Sequence, residues 1–284
     1  MKIEKIAVIG AGIMGTDVAF DLASCGYNVV LKDVNDATLE ESRTRIRSGF
    51  RGFQMMKKEL KELSAETLLG KISFTTDYSA FADVDLVIEN IPEDWELKKA
   101  VYLQLRDICK AGCYFAVNTS CISITKIGAL MTQPEQVIGM HFMNPVPLKN
   151  VVEVVKGMHT SAETVQVMKD FLKTLRKSAI VVNDLPGFVA NRLSHLFMNE
   201  AAFLVQDQVA EPKDIDRLFK HGYGHQMGPL ETADLIGLDT VVNSLKILYE
   251  SYEDPKFRCC PLLKKMVDAG YHGKKTGKGF YDYN

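Results

Sequence analysis

A histidine and a glutamate bracket the stretch of this 284-residue chain with the most chemistry to offer, His141–Phe142–Met143–Asn144–Pro145–Val146–Pro147–Leu148–Lys149–Asn150–Val151–Val152–Glu153–Val154–Val155. Pro145 and Pro147 cannot donate to a central ladder, so residues 144–149 are expected to form a loop between two strands. Glu153 stands inside an apolar, β-branched run that reads as a buried strand. A buried carboxylate without a partner costs several kcal/mol or takes up a proton. His141 is the partner within reach. A carboxylate on one imidazole nitrogen fixes the tautomer and stabilises the imidazolium, leaving the other nitrogen to act as a base. The competing assignment is a core histidine with its hydrogen bonds met and a glutamate facing water on an edge strand.

A second chemical signal lies at the start. The apolar strand Lys5–Ile9 runs straight into Gly10–Ala11–Gly12–Ile13–Met14–Gly15, and an amphipathic helix follows over residues 16–25. Strand, tight turn and helix are the context in which G-x-G-x-x-G means a dinucleotide site. Gly10 permits the turn, Gly12 lets a pyrophosphate approach the backbone, and Gly15 lets helix and strand pack closely. The helix N-terminus offers N–H groups and a positive dipole end to the phosphates. Asp33 closes the next strand, Asn28–Lys32, where a carboxylate accepts hydrogen bonds from the adenosine ribose and repels a 2′-phosphate. NAD(H) is therefore expected over NADP(H). Lys32 and the arginines at 43, 45 and 47 pull the other way, and a surface Asp capping the next helix is the alternative.

These residues need a scaffold that brings strand ends together. Further strands are expected over residues 71–76, 85–89, Tyr114–Val117 and 179–182, with helices between them. The fold class is α/β: a Rossmann-type, mostly parallel sheet domain followed by an all-helical C-terminal domain. In open sheets of this kind ligands bind at the carboxyl ends of the strands. Asp33, residues 89–93, residues 118–120 and His141 all fall there. Residues 36–69 read as one long helical segment. Its basic residues Arg43, Arg45, Arg47, Arg51, Lys57, Lys58 and Lys61 form a solvated face or flank an anionic substrate handle. Pro92 is expected to start a helix, and residues 122–130 another. The turn at 183–187 divides the chain into residues 1–185 and 186–284. Beyond it residues 188–206 read as one long helix, and residues 229–252 as a helix with a break at Gly237. Asn191, one turn into the first of these, either reaches back to a cleft between the domains or is a surface residue. His195, His221 and His225 have no carboxylate at comparable strand-end positions and are expected to be structural.

Composition narrows the class. Net charge is −2, with 46% apolar and 25% charged residues, so nothing suggests a nucleic-acid partner. No apolar run approaches the roughly 20 residues of a membrane span. Residues 1–5 run into the first strand with no signal peptide ahead of them, so a cytoplasmic protein is expected. The six cysteines lack CxxC spacing and a histidine cluster, so reduced thiols and no metal site are expected.

With these residues in place, the chain resembles the short-chain L-3-hydroxyacyl-CoA dehydrogenases, 3-hydroxybutyryl-CoA dehydrogenases among them, over nearly its whole length. The resemblance rests on residues 8–15, 118–120, 141–153, 186–192, 227–239 and 273–283, and HF-x-NPVP…VEVV is its most specific part. It favours the His–Glu pair over the core-histidine assignment. It implies that His141 is the base and Glu153 orients it, and that Ser120 and Asn191 hydrogen-bond the substrate oxygens. It implies that Gly10, Gly12, Gly15 and Asp33, with Ile13 and Met14 in the same turn, hold NAD, and that Glu93, Lys98 and Asn118 lie on the nicotinamide side. It also implies a homodimer through the helical domain. The chain departs from the usual pattern at Pro92, Trp95, Cys121 and Met143. Residues 227–234 and 251–255 look like relatives from polyketide and nonribosomal peptide clusters, which act on hydroxyacyl groups carried on an acyl carrier protein. The expected substrate is therefore an acyl-CoA, or alternatively an acyl carrier protein-bound acyl group. A non-catalytic NAD-binding structural protein is the remote alternative.

Overall fold

The computed structural model describes residues 3–283, so Met1 and Lys2, which open the expected entry into the first strand, lie outside the described residues. The chain forms two compact units, the first ending at Asp184 and the second beginning at Leu185.

The first unit is built on eight strands: β1 (Lys5–Ile9), β2 (Asn28–Lys32), β3 (Ile72–Thr75), β4 (Leu86–Glu89), β5 (Tyr114–Val117), β6 (Val137–Phe142), β7 (Val151–Lys156) and β8 (Ser178–Asn183). They form one sheet in the order β3-β2-β1-β4-β5-β6-β7-β8. All neighbours are parallel except β6 and β7. Every residue of β4 and β5 is buried, as parallel strands covered on both faces require. Helices α1 (Ile13–Ser24), α2 (Asp36–Met56), α3 (Ala65–Leu69), α4 (Trp95–Ile108), α5 (Ile124–Gly128) and α6 (Ala162–Thr174) complete the unit. The carboxyl ends of β1, β2, β4, β5 and β6 share one edge of the sheet. The antiparallel β7 starts at that edge, which puts Glu153 among the same strand ends.

Three expected helices differ in extent. Residues 36–69 are not one helix: α2 stops at Met56, Lys57 is extended, and α3 begins afresh behind Ser64, whose side chain accepts from Thr67 N. The break lets Leu60 bury and Lys57 reach Asp21 at 3.2 Å. Pro92 does not start α4; Asp94 caps it by accepting from Leu97 N at 2.9 Å. Residues 122–130 shorten to α5, because Ser123 accepts from Lys126 N and sets the start. The basic residues of α2 are largely committed: Arg45 pairs with Asp17, Arg47 with Glu66, and Arg43 lies over Phe74.

The second unit is helical: α7 (Ala190–Gln206), α8 (Pro212–Gly222), α9 (Pro229–Ile236), α10 (Leu238–Tyr252) and α11 (Pro261–Asp268). Phe188, expected inside the long helix, precedes it with φ +46. The break at Gly237 is real, with φ 104 separating α9 from α10. Two buried carboxylates bolt down the tail. Asp234 accepts from the amides of Phe280 and Tyr281 and from the Tyr283 hydroxyl, and Asp216 accepts from the Tyr281 hydroxyl at 2.6 Å. Among the described residues, no helix is long and apolar enough to cross a membrane.

Candidate active site

The dinucleotide turn follows from sterics. Gly10 has φ +88, and a Cβ there would stand 2.7 Å from Asn90 O. At Gly15 a Cβ would stand 1.7 Å from Gly10 O, so only glycine lets α1 approach the turn this closely. Gly12, in contrast, has open space where a Cβ would be, and it begins α1 with no side chain capping the helix. An uncapped helix end beside an open backbone is a fitting seat for a pyrophosphate. Ile13 is exposed there and Met14 half-buried.

Asp33 ties β2 to this turn. Its Oδ2 accepts from Ala11 N at 2.6 Å and its Oδ1 from Val34 N at 2.6 Å. A carboxylate has about four acceptor positions, so these bonds orient Asp33 and leave capacity for ribose hydroxyls. Neighbouring Lys32 is buried against the Tyr78 ring, 4.3 Å from its centroid, and burial lowers its pKa. The residues present fit NAD.

The ends of β4, β5 and β6 are laced together by side chains. Asn118 Nδ2 donates to Asn90 Oδ1 at 2.7 Å, and Asn118 Oδ1 accepts from Phe142 N at 3.1 Å. Glu93 turns one oxygen into the loop after β5. Its Oε1 accepts from Thr119 Oγ1 at 2.6 Å, Ser120 N at 3.2 Å, Cys121 N at 2.7 Å and Ile122 N at 3.1 Å. That carboxylate shapes the loop that carries Ser120. Lys98 is fully buried, and its ammonium donates to both oxygens of Glu89 at 2.7 and 2.9 Å and to Ile91 O at 3.4 Å. Burial pushes the Glu89 carboxyl up, and the Lys98 charge opposes it.

His141 and Glu153 complete the site. They are partners in the β6–β7 register, 7% and 5% exposed, with Nδ1 2.7 Å from Glu153 Oε2. On the other side of the ring, Ser120 Oγ lies 3.2 Å from Nε2. The resulting chain, hydroxyl to imidazole to carboxylate, can take a proton at Nε2 and stabilise the charge at Nδ1.

Asn191 lies in the second unit, half-buried in the first turn of α7, where its carbonyl accepts from His195 Nδ1 at 2.9 Å. His195 itself is 3% exposed. Thr119, Asn90 and Glu89 fall in the polar strand ends expected from sequence, whereas Lys177 was not singled out, and each fixes a loop of this site. The polar run after β4 marked Glu89 and Asn90, whereas nothing local distinguished Lys177.

Comparison with known proteins shows the family. The family model for the 3-hydroxyacyl-CoA dehydrogenase NAD binding domain matches residues 5–185, and that for the C-terminal domain matches residues 187–283. The chain is similar to a probable 3-hydroxybutyryl-CoA dehydrogenase of Deinococcus radiodurans, 44% identical over 98% of this chain and 100% of the relative. It is similar to one of Bacillus subtilis, 41% identical over 100% of this chain and 98% of the relative. The crystal structure of the (S)-3-hydroxybutyryl-CoA dehydrogenase of Ralstonia eutropha superposes with a TM-score of 0.93 at 38% identity, covering 100% of both chains. Glycine turn, strand-end shell and full-length similarity thus converge: the chain belongs to the 3-hydroxyacyl-CoA dehydrogenase family and is an NAD-dependent oxidoreductase of that type.

Proposed function

We propose that this protein oxidises a 3-hydroxyacyl-CoA to the 3-oxoacyl-CoA, and runs the reverse reduction, with His141 as general base and acid. The observation that carries this reading is the hydrogen-bonded series Ser120 Oγ, His141 Nε2 and Nδ1, Glu153 Oε2. NAD, when bound, accepts the hydride from C3 of the substrate. The chain's own residues manage the proton. His141 Nε2 takes it from the C3 hydroxyl, and Glu153 stabilises the imidazolium through Nδ1. Ser120 donates to the same substrate oxygen and sets its angle to the ring. In reduction the imidazolium returns the proton. General base catalysis of this kind contributes about 10²–10⁴-fold.

Gly10, Gly12, Gly15 and Asp33, with Ile13 and Met14 in the same turn, are the proposed dinucleotide seat. Asn118 and Glu93 are proposed for the nicotinamide side, and Lys98 acts there at one remove, through Glu89 and the Ile91 carbonyl. Asn191 keeps the substrate-oxygen role that family resemblance implies. The names of the similar proteins favour 3-hydroxybutyryl-CoA as the acyl-CoA.

The deciding experiment follows NADH formation from NAD and (S)-3-hydroxybutyryl-CoA, with the same acyl group on an acyl carrier protein run in parallel. Turnover of the CoA thioester supports the proposal. Turnover confined to the carrier-bound group replaces it with the carrier-protein alternative, and turnover of neither rejects both.

A homodimer through the helical unit is proposed as well. That unit exposes Leu193, Val209, Leu218, Tyr223 and Leu235, apolar side chains that a second copy would cover. Light scattering that returns the monomer mass of 31.7 kDa at assay concentration would reject it.

A further inference from the structure

Lys177 immediately precedes β8 and is 4% exposed. Its ammonium donates to the carbonyl oxygens of Val146 and Lys149, each at 2.7 Å, and pairs with Asp21 Oδ2 at 3.0 Å. Two of the three ammonium protons are committed to those carbonyls, and the charge is met by the Asp21 carboxylate. Val146 and Lys149 belong to the loop between β6 and β7, which is the covalent link between His141 and Glu153. The next residue holds the same loop, since Ser178 N donates to Asn150 O at 2.7 Å. Val146 is buried at 1% exposure, so its carbonyl has no bulk water to fall back on.

The third partner leads elsewhere. Asp21 is 1% exposed on α1, and its Oδ1 accepts from Lys57 Nζ at 3.2 Å. Helix α1 is the one whose first turn carries the dinucleotide glycines. One buried cation therefore joins the catalytic hairpin loop to the cofactor helix.

We infer that Lys177 is a positioning residue for the His141–Glu153 pair, clamping the loop between their strands and fixing that hairpin against α1. The inference rests on the reading of His141 as the base. It differs from a plain stability role in what it predicts for kinetics. A loosened loop misplaces the base without disturbing the glycine turn.

Lys177→Met fills the space and donates nothing. It is expected to lower kcat about 10²-fold, the size of effect a displacement near 1 Å produces, while the NADH dissociation constant holds. Lys177→Arg is expected to recover part of kcat. Lys57→Met, which removes only the far partner of Asp21, is expected to keep the wild-type kcat. Should Lys177→Met fail to fold, Asp21→Asn carries the test: lower kcat with faster amide exchange in residues 146–150 supports the clamp, and no change in either overturns it. A wild-type kcat in Lys177→Met overturns it too, as does an equal loss of kcat and NADH affinity. His141→Gln is assayed alongside. If that variant turns over normally, the base reading fails and takes the clamp with it. If it is inactive while Lys177→Met is normal, only the clamp fails.

Discussion

His141 and Glu153 stand directly opposite each other on the antiparallel β6–β7 ladder, and the imidazole Nδ1 lies 2.7 Å from Glu153 Oε2. Opposed residues of an antiparallel pair point to the same face with their Cβ atoms roughly 5 Å apart. That distance suits an imidazole and a carboxylate joined by one hydrogen bond. A slip of one residue would send Glu153 to the other face of the sheet and leave two buried polar groups without each other. The loop between the strands therefore does chemical work by holding register, although it presents no reacting atom.

His141→Gln preserves size and polarity but cannot take up the substrate proton. Its kcat is expected to fall by about 10²–10⁴-fold, the span usual for a lost general base. NADH binding, measured by fluorescence titration, should stay close to wild type because the glycine turn is untouched. Turnover of the purified variant near the wild-type rate would remove His141 from the base role.

Glu93 gathers four donors from residues 119–122 on one oxygen. Glu93→Ala leaves those donors without their acceptor, so the loop should relax and carry the Ser120 hydroxyl away from His141. Glu93→Gln keeps an oxygen in place and should retain most of the activity. Similar kcat values for the two variants would show that the oxygen does not organise the loop.

Much of this site was legible because its signals are local. Glycine spacing after a strand, an acid at the end of the next one, and a proline-broken loop between apolar runs each follow from backbone rules acting over a few residues. Glu153 betrayed itself as an acid inside a buried strand. Lys177 did not, because Val146, Lys149 and Asp21 reach it only through the tertiary fold. Lys98 was placed on the nicotinamide side by the family resemblance alone, and its buried pairing with Glu89 comes from the tertiary fold in the same way.

Asp33→Ala tests the cofactor preference. The carboxylate that favours ribose hydroxyls also repels a 2′-phosphate, so its loss should weaken NADH and leave NADPH binding unchanged or tighter. Equal weakening of both would show that Asp33 serves only to hold the turn through Ala11 N.

Asp17 offers a pH test whose sign is set by burial. It is 3% exposed on α1, with Arg45 at 3.6 Å, and burial holds its pKa above the ordinary 3.8. The folded chain then keeps the Asp17 proton to higher pH than the unfolded chain does. Between those two values the native state binds more protons, so the contribution of Asp17 to stability is fully present below 3.8 and is lost as pH rises through the folded value. Asn at this position has the shape of the neutral acid and cannot ionise. The melting temperature of Asp17→Asn relative to the wild type should therefore rise as pH is taken from 4 to 7. Parallel curves would mean that Arg45 fully compensates the buried charge.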